Sequence, residues 1–344
     1  MIELGLAVIV VLVFTLPFLI KKVEKQLEAF LFVMGCSAVT IAGLWSWELV
    51  YKAIKAPLSI TAAVLIAGLL FREVRRQVGK WANTCGERIG FGPLFFIVVV
   101  GLGLLSSVIT AIIAALVLAE ITSALRLPRK VEVRLVIVAC FSIGLGAVLT
   151  PLGEPLSVIA IEKLRGDPFH ADFFFLMRLL GKWIIPMIVG LGLLAAFLPG
   201  KRETKETSLV EDKPELTKDI VIRALKVYLF VLALVFLGEG FTPMVNDHLV
   251  GKIPPLGLYW INIVSAILDN ATLTAAEVTP EMSKEAIQAI LAGLLIAGGM
   301  LIPGNIPNII CASKLSISSR EWAVFGLPLG MIIMTGFFAF LMLT

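Results

Sequence analysis

The stretch SAILDNATLTAAEV, residues 265–278, sets Asp269, Asn270, Thr272, Thr274 and Glu277 inside one of the most apolar regions of the chain. An acidic side chain at the centre of a bilayer costs about 2.5–3.5 kcal/mol even on insertion scales. A polar cluster tolerated at that depth reads as the tip of a short re-entrant hairpin facing a wet site. The arm leading to it, Leu256–Leu268, has thirteen residues, whereas a membrane crossing takes about 20. The arm Pro93–Leu105 is equally short and leads to Ser106, Ser107 and Thr110.

The whole chain of 344 residues is 59% hydrophobic and 16% charged, against about 45–50% and about 25% for soluble domains. Its mean hydropathy is +0.99. Composition therefore predicts an all-α polytopic membrane protein. The first apolar run, Glu3–Ile20, has no basic segment before it and no small-residue cleavage site after it, so no removed signal peptide is expected. Cys36, Cys85, Cys140 and Cys311 have no metal-ligand spacing, and His170 and His248 fall in predicted loops. No phosphate-cradling glycine loop, Ser–His pair or paired catalytic aspartates are present, so neither an ATP-driven pump nor an enzyme is expected. No cofactor is expected either. The net charge of +4 follows the membrane and does not point to nucleic acid.

Plain spans read at 3–20, 27–44, 57–71, 172–198, 220–240 and 321–343. Two more are interrupted: 131–164 at TPLGEP (150–155), and 285–316 at IPGNIP (302–307). The segments 93–124 and 256–280 read as hairpins, and the distribution of basic residues supports this. With both as hairpins, Lys21–Lys25, Arg72–Arg88, Arg126–Arg134, Lys201–Lys218, Lys314 and Arg320 fall on one side, the cytoplasmic one. The chain ends then lie outside a plasma membrane, and the polar stretch 199–219 is a cytoplasmic linker. The N-terminal helices occupy 1–56, a first repeat 57–198 and a second repeat 220–344. Each repeat reads span, hairpin, broken span, span, in opposite topology.

The letters agree. GAVLTPLGEPLSV (146–158) lies over GGMLIPGNIPNII (298–310) without a gap, setting Gly146 on Gly298, Pro151 on Pro303 and Pro155 on Pro307. Inverted repeats with broken helices hold their site near the midplane. Proline has no N–H, so Pro151 and Pro155 deprive the carbonyls of Ala147 and Pro151 of helical donors, and Pro303 and Pro307 do the same to Gly299 and Pro303. Glu154 and Ile306, each preceding a proline, are pushed out of helix. Free carbonyls in two unwound patches suit a hard cation such as Na⁺.

At these residues the chain resembles the ion transporter superfamily. SAILDNATLTAA is similar to the hairpin-tip motif of NhaD-type sodium/proton antiporters, and GNIPNII to that superfamily's Pro–Asn-rich break. An uncharacterised prokaryotic family of predicted cation transporters is similar too, and the resemblance covers 57–343. It implies ion binding by Ser265, Asp269, Asn270 and Thr272 at the second tip and by Asn305 and Asn308 at the second break. Ser106, Ser107 and Thr110 stand in at the first tip, with Gly153 and Glu154 in the first break. Asp269, Asn270 and Asn305 are the implied Na⁺ ligands. The implied activity is secondary Na⁺/H⁺ antiport, with sodium-coupled symport of a small dicarboxylate or oxyanion as the alternative. The implied partners are the lipid bilayer, a small inorganic cation and a second copy of the chain.

Plainer readings stand beside these. Asp269 and Asn270 are also good helix N-caps. Glu154 has Lys163 and Arg165 within reach as ion-pair partners. Glu120 and Glu277, late in the hairpin arms, are expected to be solvated or paired. Arg178 and Lys182 share a helix face and either snorkel outward or neutralise an acid.

Overall fold

The computed structural model describes residues 2–199, 217–248, 253–268 and 270–341, and all regular structure among them is helical. Asp269 and most of the 199–219 linker lie outside the described residues. The chain begins with α1 (Ile2–Leu19), a short α2 (Lys21–Lys25), α3 (Leu27–Ala42) and α4 (Trp47–Ile89). The sequence places a span at 57–71 and a basic loop after it. Instead α4 is one helix of 43 residues, about 65 Å long at 1.5 Å per residue. REVRRQ is polar but built largely of good helix formers, so loss of hydropathy there marks a change of surroundings and not the end of the helix.

The next five helices are α5 (Phe91–Ile109), α6 (Ala111–Leu125), α7 (Arg129–Ala147), α8 (Pro155–Lys163) and α9 (Phe175–Ala196). After the linker come α10 (Thr217–His248) and α11 (Pro255–Ile261), which tightens into a 3₁₀ turn at Asn262–Ala266. The chain ends with α12 (Asn270–Glu277), α13 (Lys284–Gly298), α14 (Ile306–Leu315) and α15 (Ser319–Leu341). Segments Trp47–Ile66, Phe91–Ile109, Phe175–Ala196, Ile220–Met244 and Ser319–Leu341 are long and apolar enough to cross a bilayer. These apolar helices mark a helical membrane protein.

α5 is longer than the thirteen-residue arm expected. Pro93 sits in its first turn, where a missing N–H removes no helical bond. At the other end Ser106 and Ser107 turn their hydroxyls back onto Gly103 O and Leu104 O, each at 2.7 Å, and the helix runs on. The turn comes at Thr110, whose φ of 74° and ψ of 150° lie where L-residues are strained, at about 1–3 kcal/mol.

Hydrogen bonds set the helix directions. Ser142 Oγ donates to Val99 O at 2.8 Å, and Thr150 Oγ1 donates to Ser107 O; both pairs are 43 residues apart, so α5 and α7 run parallel. α6, joining the end of α5 to the start of α7, runs back against both. The second part is built alike. Ser265 Oγ donates to Leu294 O at 2.9 Å and Asn262 Nδ2 lies 3.4 Å from Ile290 O, so the α11 arm runs parallel to α13 and α12 returns.

The two parts interlock. α6 packs on α14, and α12 packs on α8. Arg129, at the start of α7, spends all five donors on the second part and its own helix. Nε and Nη2 take both oxygens of Glu321 at 2.8 and 3.0 Å, Nη1 reaches Glu132 and Leu315 O, and Nη2 also reaches Ser316 O. A planar fork of this kind locks orientation as well as charge. The α6–α7 turn, the α14–α15 turn and the start of α10 therefore share one end of the bundle with Glu24 and Glu28. On the far flank α3 crosses α10 closely: a Cβ on Gly35 would lie 2.8 Å from Ala233 O. Small residues permit such backbone approaches between membrane helices.

Candidate functional site

Two interruptions face two tips at the middle of the molecule. Between α7 and α8 the chain is unwound over 148–154, and between α13 and α14 over 299–305, with a 3₁₀ turn at Ile302–Gly304. Their geometry corrects the ungapped register. Helix ends Ala147 and Gly298, and extended N-caps Glu154 and Asn305, are each 151 residues apart; the letters give 152. The one-residue shift pairs Ser157 with Asn308 and Gly153 with Gly304. It also makes Asn305, not Ile306, the extended residue, with φ −152° and ψ 148°. Proline's steric push is met in the second break by placing Pro307 at the second helical position.

Two of the acceptor carbonyls repeat at the same spacing, Ile143 with Leu294 and Ala147 with Gly298, while the donors Ser106 and Ser265 are 159 residues apart. Ser106 reaches Ile143 O at 2.9 Å as Ser265 reaches Leu294 O. Ser157 Oγ sits 3.3 Å from Val148 O and 3.5 Å from Ala147 O. Asn308 Nδ2 donates to Gly298 O at 2.9 Å and Leu301 O at 2.8 Å. Both breaks fold back on the helix before them, so tightly that only glycine fits. A Cβ on Gly153 would lie 1.9 Å from Ala147 O, and one on Gly304 would lie 2.5 Å from Gly298 O.

These bonds revise the expectation of free carbonyls. Ala147 O faces the Ser157 hydroxyl, and Gly299 O accepts from Trp322 Nε1 at 3.2 Å. Of the four carbonyls that prolines were expected to free, those of Pro151 and Pro303 have no such donor among the described residues. Side chains therefore do part of the work that a bound ion was expected to do.

The first tip meets the first break: Ala111 N donates to Gly153 O at 3.0 Å, and Thr150 holds Ser107 O. At the second tip the Asn270 carboxamide rests on Gly298, where a Cβ would lie 2.7 Å from its Nδ2. Asn305 crosses to the first part and rests on Gly144, whose Cβ would lie 2.5 Å from its Nδ2. Asn270 Oδ1 and Asn308 Oδ1 are buried, with no hydrogen-bond partner among the described residues. Buried polar atoms are nearly always paired, which makes these two oxygens candidate acceptors for a ligand. Glu154 is half-buried at the start of α8. Thr272, two residues past Asn270 and so on the other face of α12, lies against Gly238 of α10.

The remaining charges separate. Glu120 is 2% exposed and pairs with Lys314 of α14. Arg178 donates to Asp172 at 2.6 Å and holds that exposed carboxyl below the usual carboxylate range. Lys182 lies over the Trp183 ring at 4.4 Å. Glu277, expected to be solvated or paired, is fully buried; Asn262 Nδ2 donates to its Oε2 at 2.9 Å, and Oε1 has no partner among the described residues.

A cleft of about 430 Å³ opens at the end that carries the α6–α7 and α14–α15 turns. Glu28, paired with Lys226 at 3.0 Å, lies at one side, and Ile302 of the second break lines it. Sequence reasoning missed Thr150, Ser157 and Trp322 because each is defined by the carbonyl it reaches. It named Thr274 without using it, although Asn270, Thr274 and Glu277 stand at the i, i+4, i+7 spacing of one helix face.

No curated protein matches the chain. A family model described as "Protein of unknown function (DUF1646)" matches residues 3–344, and a match over that length makes the chain a member of this family.

Proposed function

We propose that this protein is a secondary active ion transporter that exchanges Na⁺ for H⁺, and that 57–198 and 220–344 are inverted repeats with re-entrant hairpins. The reading places it beside the NhaD-type antiporters it resembles. The observation that carries it is the pair of unpartnered buried amide oxygens, Asn270 Oδ1 and Asn308 Oδ1, where a hairpin tip meets a broken helix. Unwound backbone in membrane helices is tolerated where it lines a cavity and binds ions. Asn270, Asn305 and Asp269 are the proposed Na⁺ ligands, with Asp269 and Glu154 supplying charge.

By the same reading the basic end of the bundle is cytoplasmic, and the cleft at Ile302 is the inward route in a plasma membrane. The N-terminal helices with α10 form a scaffold through which two copies associate. Sodium-coupled symport of a small anion is the second reading. It is favoured by the N-termini of α6, α8, α12 and α14, all of which start at a tip or a break, where helix dipoles attract anions.

The test is transport by purified protein in liposomes that contain a pH dye. Exchange predicts that adding Na⁺ moves protons with no organic anion or oxyanion substrate present, and that Asp269→Asn abolishes the response. Na⁺ uptake only with a dicarboxylate or oxyanion present would replace exchange by symport. No cation-dependent flux of either kind would overturn the transporter reading.

A further inference from the structure

Glu120 and Glu277 sit late in the returning arms of the two hairpins, and the structure treats them differently. Glu120 on α6 is paired with Lys314, which reaches it from α14. At the 151-residue spacing, Lys163 on α8 corresponds to Lys314, and α8 packs on α12 as α14 packs on α6. Yet Lys163 forms no ion pair with Glu277 among the described residues. The acidic and basic groups on the elements against α12 are these. On α8 they are Glu162 and Lys163; on α13, Lys284 and Glu285; on α10, Glu239, which pairs with Lys52, with Asp247 and His248 after it in the sequence and Lys218, Asp219, Arg223 and Lys226 toward the helix start. α11 and its 3₁₀ turn carry none, and Asp269 lies outside the described residues. None of the described groups bonds to Glu277.

A fully buried carboxyl therefore has, among the described residues, one amide donor and no counter-charge. An isolated carboxylate in such surroundings is too unfavourable to persist and is neutralised. Glu277 also ends a line. Asn270, Thr274 and Glu277 share one face of α12, and Asn270 Oδ1, Thr274 Oγ1 and Glu277 Oε1 are buried without partners among the described residues. The line starts at the hairpin tip and ends beside the partly exposed turn 278–283.

We propose that Glu277 is a proton-binding site, with Asn262 holding Oε2 and the proton carried on Oε1, whereas Glu120, the acid late in the other returning arm, holds a lysine. On release the O–H bond breaks, the electron pair stays on Oε1, and the proton passes to water at the 278–283 turn. The inference rests on the exchange reading, for which it names the proton's seat apart from the cation's.

Infrared difference spectra of the full chain in lipid, taken from acid to alkaline pH, test it without a transport assay. A protonated carboxyl band that titrates should be present in the wild type and missing in Glu277→Gln. In Asn262→Leu, which keeps the acid but removes its donor, the band should shift. A band unchanged in both variants overturns the proposal, as does the absence of any such band in the wild type. Dye-detected proton release on adding Na⁺ separates the two readings. Equal release from wild type and Glu277→Gln would leave exchange standing and remove Glu277 from it. The expected band with no Na⁺-evoked release would leave the proton site standing and remove exchange.

Discussion

Replacing Asn308 with alanine tests whether the second break is held by this one side chain. Asn308 is fully buried and satisfies two carbonyls, Gly298 O and Leu301 O, through one amide nitrogen. A buried acceptor left without its donor costs about 1–3 kcal/mol. Two would cost about 2–6, from which roughly 1 kcal/mol returns because the unpartnered Oδ1 is deleted as well. Relaxation of the loop takes some of the rest, so Asn308→Ala should lose about 2–4 kcal/mol. Asn308→Ser, which copies Ser157 of the first break, keeps one donor and should lose about half as much. Asn308→Asp has the same shape but presents an acceptor to two acceptors, and should be the worst of the three. Unfolding by denaturing detergent in mixed micelles, followed through reaction of the buried thiols Cys140 and Cys311, gives the ranking. If alanine lies within about 0.5 kcal/mol of wild type, as surface substitutions do, the break is not held by this amide and the parallel with Ser157 fails.

Three further outcomes follow from the same geometry. Gly153→Ala places a Cβ 1.9 Å from Ala147 O and should abolish stable protein in fluorescence-detected size exclusion, whereas Gly101→Ala, with nothing within 4 Å, should be neutral or slightly stabilising. Thr110→Gly relieves positive-φ strain but gives up the bond to Ile113 N. Its thermal stability should stay within about 1 kcal/mol of wild type, while Thr110→Val, which keeps the strain and loses the cap, should drop by about 1–2 kcal/mol. For topology, single cysteines at Arg88 and Lys130 in a cysteine-free background should label from the same face of the membrane and one at Lys284 from the other; labelling of Arg88 and Lys130 from opposite faces would show that α5 and α6 do not form a re-entrant pair.

Much of the helical layout was legible in the sequence because bilayer solvation acts locally. Apolar runs about 20 residues long, prolines that strip carbonyls of donors, and polar residues set in apolar arms are each readable from a few neighbours. The same locality explains the misplacements. Hydropathy ends where the surroundings change, so the span at 57–71 hid the continuation of α4 to Ile89. Letter matching found the two breaks but aligned them on their prolines, one residue away from the spacing of the helix ends and caps.

What only the tertiary structure decided is which polar groups satisfy one another across distant segments. Ser157 and Trp322 take carbonyls expected to be free, Arg129 ties α7 to the α14–α15 turn, and Lys314 neutralises Glu120 from 194 residues away. Among the described residues, Glu277 is left with Asn262 alone. No residue type encodes that difference: the two acids look alike in sequence, and each has a lysine at the matching place in the opposite part. Reach and direction across a packed interface separate them, because a buried charge is neutralised only by a group whose geometry lets it touch.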